Sequence, residues 1–184
     1  MAISPPTERV WWRTPIARVE LVWIIIALLW GVTMFSMMIY WHGRGKQNLS
    51  NEAYRVNPQA YMQKVQTEAE KYKIREEAGI PVVKPPPGTD IYMLARLWQW
   101  WPIFELEKNK SYRLHLSSLD WQHGFSLQPV NLNLQVYPEY DMVVTITPDQ
   151  AGEFTVVCNE YCGIGHHQMI GKIYVTEGAG GEQQ

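Results

Sequence analysis

Charge is scarce in this sequence and is absent from one long stretch. Only 18% of the 184 residues are Asp, Glu, Lys or Arg, whereas 46% are hydrophobic, and this composition excludes a mainly disordered chain. No charged residue occurs between Leu21 and Tyr40. A helix of that length spans about 30 Å, the thickness of the hydrocarbon core of a bilayer. We therefore predict a transmembrane helix over 19–41 rather than a buried core helix, which seldom lacks a polar face.

No signal for cleavage or for orientation accompanies this run. It is too long for the apolar part of a signal peptide, and no small-x-small cleavage site follows it, so we predict an uncleaved anchor. Three basic residues flank each of its ends, so the positive-inside rule assigns no topology. Residues 1–88 contain 11 Lys/Arg and 7 Asp/Glu (net +4), and residues 89–184 contain 5 and 11 (net −6). The acidic second half attracts a basic partner or simply serves solubility, and we predict no nucleic-acid partner.

Changes in composition along the chain predict five segments. In chain order they are an N-terminal tail 1–18, the transmembrane helix 19–41, a linker 42–88, a β domain 89–177 and a flexible tail 178–184. Inside the linker, Asn57 and Pro58 are typical of a helix start and Gly79 of a helix end, so we predict an amphipathic helix at about 58–78. The following PVVKPPP is typical of a stiff, extended spacer.

Short apolar runs alternate with polar residues throughout the predicted β domain. In YRLHLSS, for example, Tyr112, Leu114 and Leu116 alternate with polar residues. A period of two is typical of half-buried strands, and such runs between turn residues predict an all-β sandwich.

One segment, CNEYCGIGHHQMIG, concentrates metal-binding side chains. It places Cys158, Cys162, His166 and Met169 within twelve residues. Thiolates, imidazole and thioether are soft ligands that favour copper over hard cations. Because two thiolates are able to bridge two metal ions, we predict a binuclear site. A second imidazole must then come from elsewhere, and His123 in LDWQHGFSL is the best candidate.

The predicted ligand roles leave no coordination position for a substrate. One copper would take His123 and a weak Met169 sulfur, and the other would take His166 and the backbone carbonyl of Glu160. A closed ligand set of this kind suits electron transfer rather than substrate chemistry.

Two other interpretations of the cysteines remain open at this point. Cys158 and Cys162 are able to form a disulfide, which an extracytoplasmic location permits. They are also able to bind zinc together with His123 and His166. The disulfide leaves His123, His166 and Met169 unexplained, and zinc leaves Met169 unexplained.

The pattern C-x-E-x-C-G-x-G-H-x-x-M-x-G, from Cys158 to Gly171, resembles the CuA loop of subunit II of haem–copper oxidases. DWQHGF resembles the upstream histidine segment of that family, and the resemblance covers roughly residues 91–176. The single span and the segments ELVW and RVNP are similar to the one-span subunit II of B-type oxidases. The helix at 58–78 and the PVVKPPP spacer exceed what one-span relatives usually carry.

The resemblance implies a fold, a location and partners. The fold would be a cupredoxin-like Greek-key sandwich or barrel, with one N-terminal transmembrane helix and an extra helix in the linker. The copper domain would lie on the outer side of the cell membrane. It would accept electrons from cytochrome c or a small copper protein and pass them to haem in subunit I. The chain would thus be an oxidase subunit without substrate chemistry of its own.

Further residue roles follow from the resemblance alone. Glu160 resembles the family glutamate that helps to bind magnesium at the subunit I interface. Trp98, Trp100 and Trp101 resemble the aromatic cluster through which electrons enter, although strand aromatics usually pack in cores. Glu20 is a candidate for the entrance of a proton path, although an acid at a helix start is also favoured by the helix dipole.

Other functions with similar copper modules are weighed against the oxidase. Some nitric oxide reductases of the same superfamily share the module, and the sequence does not separate the two because the substrate binds in another chain. A membrane-tethered copper chaperone would need a releasable site with fewer ligands. Nitrous oxide reductase needs a second cluster bound by many histidines, which the five histidines here exclude.

Overall fold

The structure, a computed structural model, describes residues 15–44 and 52–178. The chain divides into two compact units, residues 1–46 and 47–184. The predicted N-terminal and C-terminal tails lie almost entirely outside the described residues.

The first unit contains helix α1 (Arg18–Arg44), in which no residue is buried. Its 27 residues correspond to a length of about 40 Å. Among the described residues, α1 is the one helix that is long and apolar enough to cross a membrane. The helix confirms the predicted N-terminal apolar span, which it exceeds by one residue at the start and three at the end.

The second unit contains two mixed β-sheets. The five-stranded sheet has the spatial order β1 (Glu52–Arg55), β10 (Tyr140–Ile146), β7 (Tyr112–Ser118), β4 (Asp90–Arg96), β5 (Gln99–Trp101). The seven-stranded sheet has the order β2 (Lys73–Glu77), β3 (Ile80–Val83), β6 (Ile103–Glu107), β12 (Ile170–Thr176), β11 (Gly152–Cys158), β8 (His123–Gln128), β9 (Leu132–Val136). A short 3-10 helix, His166–Gln168, precedes β12. The predicted sandwich architecture is confirmed.

The alternating residues of the strands supply the main core between the sheets. Leu114 and Leu116 of β7, Phe125 of β8 and Val156 of β11 are fully buried in one cluster. Burying a side chain of this kind stabilises the fold by about 1.5–3 kcal/mol. The two candidate cysteines and Met169 belong to the same cluster, so the candidate site is an extension of the core.

The structure differs from the sequence-based interpretation in the segment 42–88. Helix α2 (Pro58–Tyr72) begins where predicted, because the side chain of Asn57 accepts hydrogen bonds from the backbone N–H groups of Gln59 and Ala60, each at 3.0 Å. It ends six residues earlier than predicted. Residues 73–83 form instead the antiparallel hairpin β2–β3.

The hairpin has a local physical cause. Ala78 and Gly79 have φ values of 49° and 79°, which two-residue hairpin turns with two left-handed residues require. Gly79 thus makes a hairpin turn rather than a helix cap. Strand β3 then pairs in parallel with β6, and Val82 and Val83 become buried. The segment between the predicted helix and the predicted β domain is therefore part of a sheet.

Helix α2 packs on the five-stranded sheet through one face. Tyr61 and Val65 are buried with Tyr92 and Leu94 of β4, and the Tyr61 hydroxyl donates to the Met93 carbonyl at 3.2 Å. These buried residues thus form the apolar face of the predicted amphipathic helix.

Candidate metal centre

Antiparallel pairing brings the two distant parts of the candidate site together. Cys158, the last residue of β11, pairs with Phe125 of β8. His123 starts β8 two positions earlier and therefore projects from the same face of the sheet as Phe125. The Nδ1 atom of His123 lies 3.9 Å from the Cys158 sulfur, although 35 positions separate them.

The two cysteine sulfurs lie side by side in a dry environment. Their Sγ atoms are 3.7 Å apart, and the side chains are only 3% and 6% exposed. A disulfide has an S–S distance of about 2.05 Å, so both cysteines are free in this structure.

The loop after Cys162 folds back onto the two sulfurs. The 3-10 helix at its centre is held by backbone hydrogen bonds from His166 to Gly163 and from Met169 to His166, both 3.1 Å long. The Cys158 N–H donates to the Met169 carbonyl at 3.1 Å and closes the loop. As a result, Nδ1 of His166 lies 3.6 Å and Sδ of Met169 3.8 Å from the Cys162 sulfur.

The two imidazoles approach different sulfurs. Among the described residues, ligand atoms that all lie within 4.8 Å of one another are contributed by His123, Cys158 and Cys162. His166 is outside this group. Four ligands of one tetrahedral ion, with bonds of about 2.0–2.3 Å, would lie roughly 3.3–3.8 Å from one another. In this structure, the two sulfurs and the two imidazoles are therefore not arranged as the four ligands of one tetrahedral ion.

Glu160 contributes its backbone to the site. Its carbonyl oxygen lies 3.2 Å from the Cys158 sulfur. The neighbouring Asn159 N–H donates to the Gly124 carbonyl at 3.1 Å and fixes this part of the loop beside His123. A Cβ at Gly124 would come within 2.9 Å of the Glu160 nitrogen, so close approach requires glycine there.

The three candidate tryptophans occupy different environments. Trp98, in the turn between β4 and β5, is 41% exposed and donates from Nε1 to the Cys162 carbonyl at 3.1 Å. Trp100 is 1% exposed, and its ring centroid lies 6.2 Å from that of His123 in an edge-on arrangement. Trp101 is half-buried beneath the Arg96 guanidinium. Trp98 alone of the three combines solvent exposure with a hydrogen bond to the loop.

Glu20 lies in the first turn of α1, in the other unit. Its carboxylate accepts a hydrogen bond from the Ala17 N–H at 2.9 Å. This contact is the one expected of an acid at a helix start, and the role in a proton path remains a prediction.

Burial favours the protonated thiol in the metal-free site. It raises the pKa of Cys162 to about 12, and the hydrogen bond with Cys158 acts in the same direction. The thiolate is the form that binds metals, so metal binding must displace this proton.

Sequence reasoning missed Asp120, which lies in the segment between β7 and β8. Its carboxylate contacts the imidazole Nε2 of His123 at 2.8 Å. Partial burial tends to raise the pKa of Asp120, but hydrogen bonds from His123 and from the N–H groups of Leu97 and Trp121 lower it on balance. An acid three positions before a candidate ligand histidine was the available signal in DWQHGF.

The donor set fits copper better than other biological metals. It combines two thiols, two imidazoles and a thioether at the edge of the core, where His166 is half-buried and the other four side chains are buried. Soft sulfur donors select copper, whereas magnesium and calcium require oxygen ligands. The His–Cys–Cys group therefore supports copper binding.

Comparison with known proteins gives consistent results. No family model matches the chain. Two relatives from Thermus thermophilus, each named cytochrome c oxidase subunit 2, are 34% and 33% identical to it over 93 residues. The match covers 50% of this chain and 69% and 55% of the two relatives. A probable cytochrome c oxidase subunit 2 from Streptomyces coelicolor is 32% identical over 75 residues, which are 41% of this chain and 24% of that relative.

Solved structures share the fold at lower identity. A chain of a heme-copper terminal oxidase dimer has a TM-score of 0.56 and 22% identity, and the alignment covers 86% of this chain and 100% of that chain. Rusticyanin from Thiobacillus ferrooxidans has a TM-score of 0.53 and 15% identity over 70% of this chain and 99% of its own. These similarities confirm a cupredoxin-like fold.

Proposed function

The chain belongs to the cytochrome c oxidase subunit 2 family, and from that premise we propose that it is the electron-input subunit of a membrane haem–copper oxidase with a binuclear CuA centre. Membership makes it a subunit of an oxidoreductase complex, and helix α1 fits a single-pass membrane protein. In this proposal the copper domain lies on the outer side of the membrane. It accepts electrons from cytochrome c or a small copper protein, for delivery to haem in subunit I.

The observation that carries the proposal is the placement of one imidazole at each of two adjacent sulfurs. Nδ1 of His123 lies near Cys158, and Nδ1 of His166 lies near Cys162. With the sulfurs 3.7 Å apart, this pattern supports two ions that share both thiolates, each with its own imidazole.

The remaining donors complete the proposed ligand set. We assign His123 and the Met169 sulfur to one ion, and His166 and the Glu160 carbonyl to the other. The Met169 sulfur and the Glu160 carbonyl lie 3.8 and 3.2 Å from a cysteine sulfur, within reach of ions held by the thiolates.

The surrounding residues suit electron transfer. A copper pair held by Cys158 and Cys162 would supply a one-electron redox couple. The protein holds the donors in place through the strand ends at His123 and Cys158 and through the backbone hydrogen bonds of the loop. It also excludes water, since His123 and Met169 are fully buried. Donors that are fixed and dry before metal binding need to move little when the charge changes.

We propose that electrons enter near Trp98. Its indole reaches the surface and donates a hydrogen bond to the Cys162 carbonyl. This contact supports a short electron route that runs from the indole through the hydrogen bond and the covalent bonds of Cys162 to its sulfur. Trp100 and Trp101 belong to the same proposed aromatic group. The ring contact of Trp100 with His123 favours a secondary role for Trp100 in this electron entry.

The electron donor would meet an apolar surface at this end of the domain. Tyr161 and Ile164 lie on the loop, Ile170 follows it and Trp121 lies two positions before His123; they are 76%, 88%, 57% and 64% exposed, respectively. Exposed apolar groups are typical of protein interaction sites where they form one patch. The net charge of −6 in residues 89–184 would steer a basic donor over longer distances.

Two further roles are proposed from the family resemblance. The half-buried Glu160 side chain would help to hold magnesium at the interface with subunit I. Glu20 would stand at the entrance of a proton path. Replacement of Glu160 by Gln in the assembled complex tests the first role, through the loss of bound manganese used as a magnesium substitute.

Copper content and electron paramagnetic resonance of the full chain test the proposed function. The copper-loaded protein should bind two coppers per chain, appear purple and give a seven-line spectrum from an electron shared by two metals. Cys158→Ser and Cys162→Ser should each abolish this signal, whereas Ser36→Ala in α1 should not. One metal per chain, or a colourless metal-bound protein, would contradict the binuclear proposal.

The alternatives make different predictions. A copper chaperone should release its metal readily, which the burial of Cys158, Cys162 and Met169 opposes. A nitric oxide reductase would share the same copper site, so the purified complex must be tested with both substrates. Turnover of oxygen would support the oxidase, whereas turnover of nitric oxide alone would favour the reductase.

A further inference from the structure

Trp100 brings the five-stranded sheet into contact with the candidate metal centre. It belongs to β5, the strand at one edge of that sheet, and pairs with Ala95 of β4. Its side chain is only 1% exposed and is among the largest that are fully buried. The candidate donors His123 and Cys158, by contrast, belong to strands of the seven-stranded sheet. Trp100 therefore packs on the centre from the opposite sheet.

The indole of Trp100 lies against two rings of β8. Its centroid is 6.2 Å from that of His123, with an angle of 65° between the planes, and 5.5 Å from that of Phe125, with an angle of 86°. Edge-to-face pairs at these separations are favourable. His123 and Phe125 are two positions apart in one strand and face the same side of the sheet. The indole thus limits the tilt of the imidazole towards the core.

The other side of Trp100 lies against the start of β12. A Cβ atom at Gly171 would come within 2.7 Å of Cβ and 3.1 Å of Cγ of Trp100, so the backbone of β12 rests directly on this side chain. Gly171 follows Met169 by two positions, and the Met169 carbonyl accepts the Cys158 N–H at 3.1 Å. One side chain therefore contacts the strand of the distant histidine and the strand that leaves the loop.

Trp100 holds this position by packing. Among the described residues, its Nε1–H has no hydrogen-bond partner, although the atom is buried. A buried donor without a partner is unfavourable, so the polar group does not account for the placement of the indole. The size and shape of the ring system account for it. Trp98 differs, because its indole is bonded to the loop through Nε1.

We propose that Trp100 is a positioning residue that lies across the seven-stranded sheet from β8 to β12 and fixes the His123 imidazole relative to the loop. Its effect on copper rests on the proposed function, whereas the position of the imidazole in the metal-free chain does not. In this secondary role beside Trp98, Trp100 acts through the geometry of the donors and not as a relay for the electron.

The first test uses nuclear magnetic resonance of the metal-free full chain labelled in histidine and tryptophan. The wild type should show close contacts between the ring protons of Trp100 and His123. In Trp100→Leu, which leaves a void beside the imidazole, the His123 ring signals should shift and broaden, and its ring N–H should exchange faster with water. Trp100→Phe retains an aromatic ring and should show the same changes at smaller amplitude, so it decides the matter if Trp100→Leu does not fold.

Leu106→Ala is the matched control for a loss of core volume. Leu106 is fully buried in the same cluster and pairs with Val175, about 13 Å along β12 from Gly171. This variant should leave the His123 ring signals unchanged. Unchanged His123 signals in the folded Trp100 variants, or equal changes in Leu106→Ala, would overturn the proposal.

The second test uses the copper-loaded chain. Trp100→Leu should lower copper affinity about tenfold in competition with a chelator, shift the reduction potential and alter the electron paramagnetic resonance spectrum, while Leu106→Ala should do none of these. Trp100→Phe should lie between Trp100→Leu and the wild type. A relay for the electron would instead give slower reduction by the donor with an unchanged spectrum and potential, and that result would refute the positioning role.

The two tests separate failure of this proposal from failure of the proposed function. If the wild-type chain binds no copper pair, the CuA assignment fails, and the His123 signals of the metal-free chain still decide the role of Trp100. If the copper pair forms and the Trp100 variants behave as the wild type, only the positioning role is lost.

Discussion

Gly165 faces the Trp98 indole so closely that a single methyl group has no room there. A Cβ atom at Gly165 would lie 2.2 Å from Cδ2 and 2.5 Å from Cε3 of Trp98. Carbon atoms in ordinary contact are about 3.5–4.0 Å apart, so Gly165→Ala must separate the ring from the loop by roughly 1.5 Å. The backbone at Gly165 has φ −86° and ψ 8°, which other residues also adopt, so the steric clash accounts for the effect.

The free-energy cost of separating the Trp98 ring from the loop has two contributions. Overpacking of this kind destabilises by about 1–3 kcal/mol, and loss of the hydrogen bond from Trp98 to the Cys162 carbonyl costs about 1 kcal/mol. We expect Gly165→Ala to cost about 2–4 kcal/mol in total. For a domain of this size, about 3–5 °C per kcal/mol converts this to a fall of roughly 6–20 °C in melting temperature.

A double-mutant cycle assigns the effect to the Trp98 ring. Calorimetry of the metal-free chain should show Gly165→Ala to be strongly destabilising alone, but nearly neutral in the Trp98→Ala background, because the new methyl group then meets empty space. The interaction energy should be at least about 1 kcal/mol. Trp121→Ala is the matched control, because the atoms nearest to a Cβ at Gly165 belong to Trp98 and not to Trp121. The effects of Trp121→Ala and Gly165→Ala on the free energy of unfolding should be additive. Additivity with Trp98→Ala would refute the packing of Trp98 on the loop.

Three further predictions concern the proposed copper centre and its proposed electron donor. Met169→Leu should retain two coppers, because the lost thioether is a weak ligand, but it should shift the reduction potential and the electron paramagnetic resonance spectrum. An unchanged spectrum would remove Met169 from the proposed ligand set. Copper affinity should rise about tenfold per pH unit for each displaced proton, because the pKa of Cys162 lies far above neutral. By the same shift, Cys162 contributes stability to the metal-free fold that is lost as pH rises from about 9 to about 12, so Cys162→Ser should lose less stability over this range than the wild type. Ile164→Ser should lower the second-order rate constant for reduction by the electron donor several-fold at any salt concentration. High salt should slow the reduction of the wild type by screening the steering charges. Equal stopped-flow rates for the variant and the wild type would exclude a role of the apolar surface in donor binding.

The candidate ligands could be proposed from the sequence because their chemistry is local. Cys158, Cys162, His166 and Met169 lie within one short loop, and residue type together with spacing identifies them as a soft donor set. The approach of His123 required only that its strand pair with the strand that ends at Cys158, and the structure has this pairing.

The roles of the tryptophans depend on register, which the composition of RLWQWWP does not contain. Trp98 is exposed because the chain turns between β4 and β5 at that residue, while Trp100 enters the core because it pairs with Ala95 of β4. A strand that started one residue earlier would exchange the faces of these side chains. Sequence reasoning therefore treated them as one group.

The hairpin at 73–83 was missed because its residues favour a helix. Lys73–Glu77 continues the charged, helix-forming composition of α2, and intrinsic propensity differs by less than about 1 kcal/mol per residue. The ladder with β6 and the burial of Val82 and Val83 outweigh that preference. Local sequence shows no sign of the parallel partner, which lies more than 20 positions away.

The site is specified by the domain rather than by the loop alone. The sheet sets the distance between His123 at the start of β8 and Cys158 at the end of β11. The Met169 carbonyl accepts a hydrogen bond from the Cys158 N–H. The loop cannot shift without breaking this bond and losing the buried Met169 contacts of the core. The same interactions that stabilise the fold also hold the donor atoms in place. Any movement of these atoms when a bound metal changes its oxidation state would therefore disturb the packing of the core. This coupling is the physical reason to expect a small reorganisation energy, and it explains why the site is placed where two strand ends meet in the core.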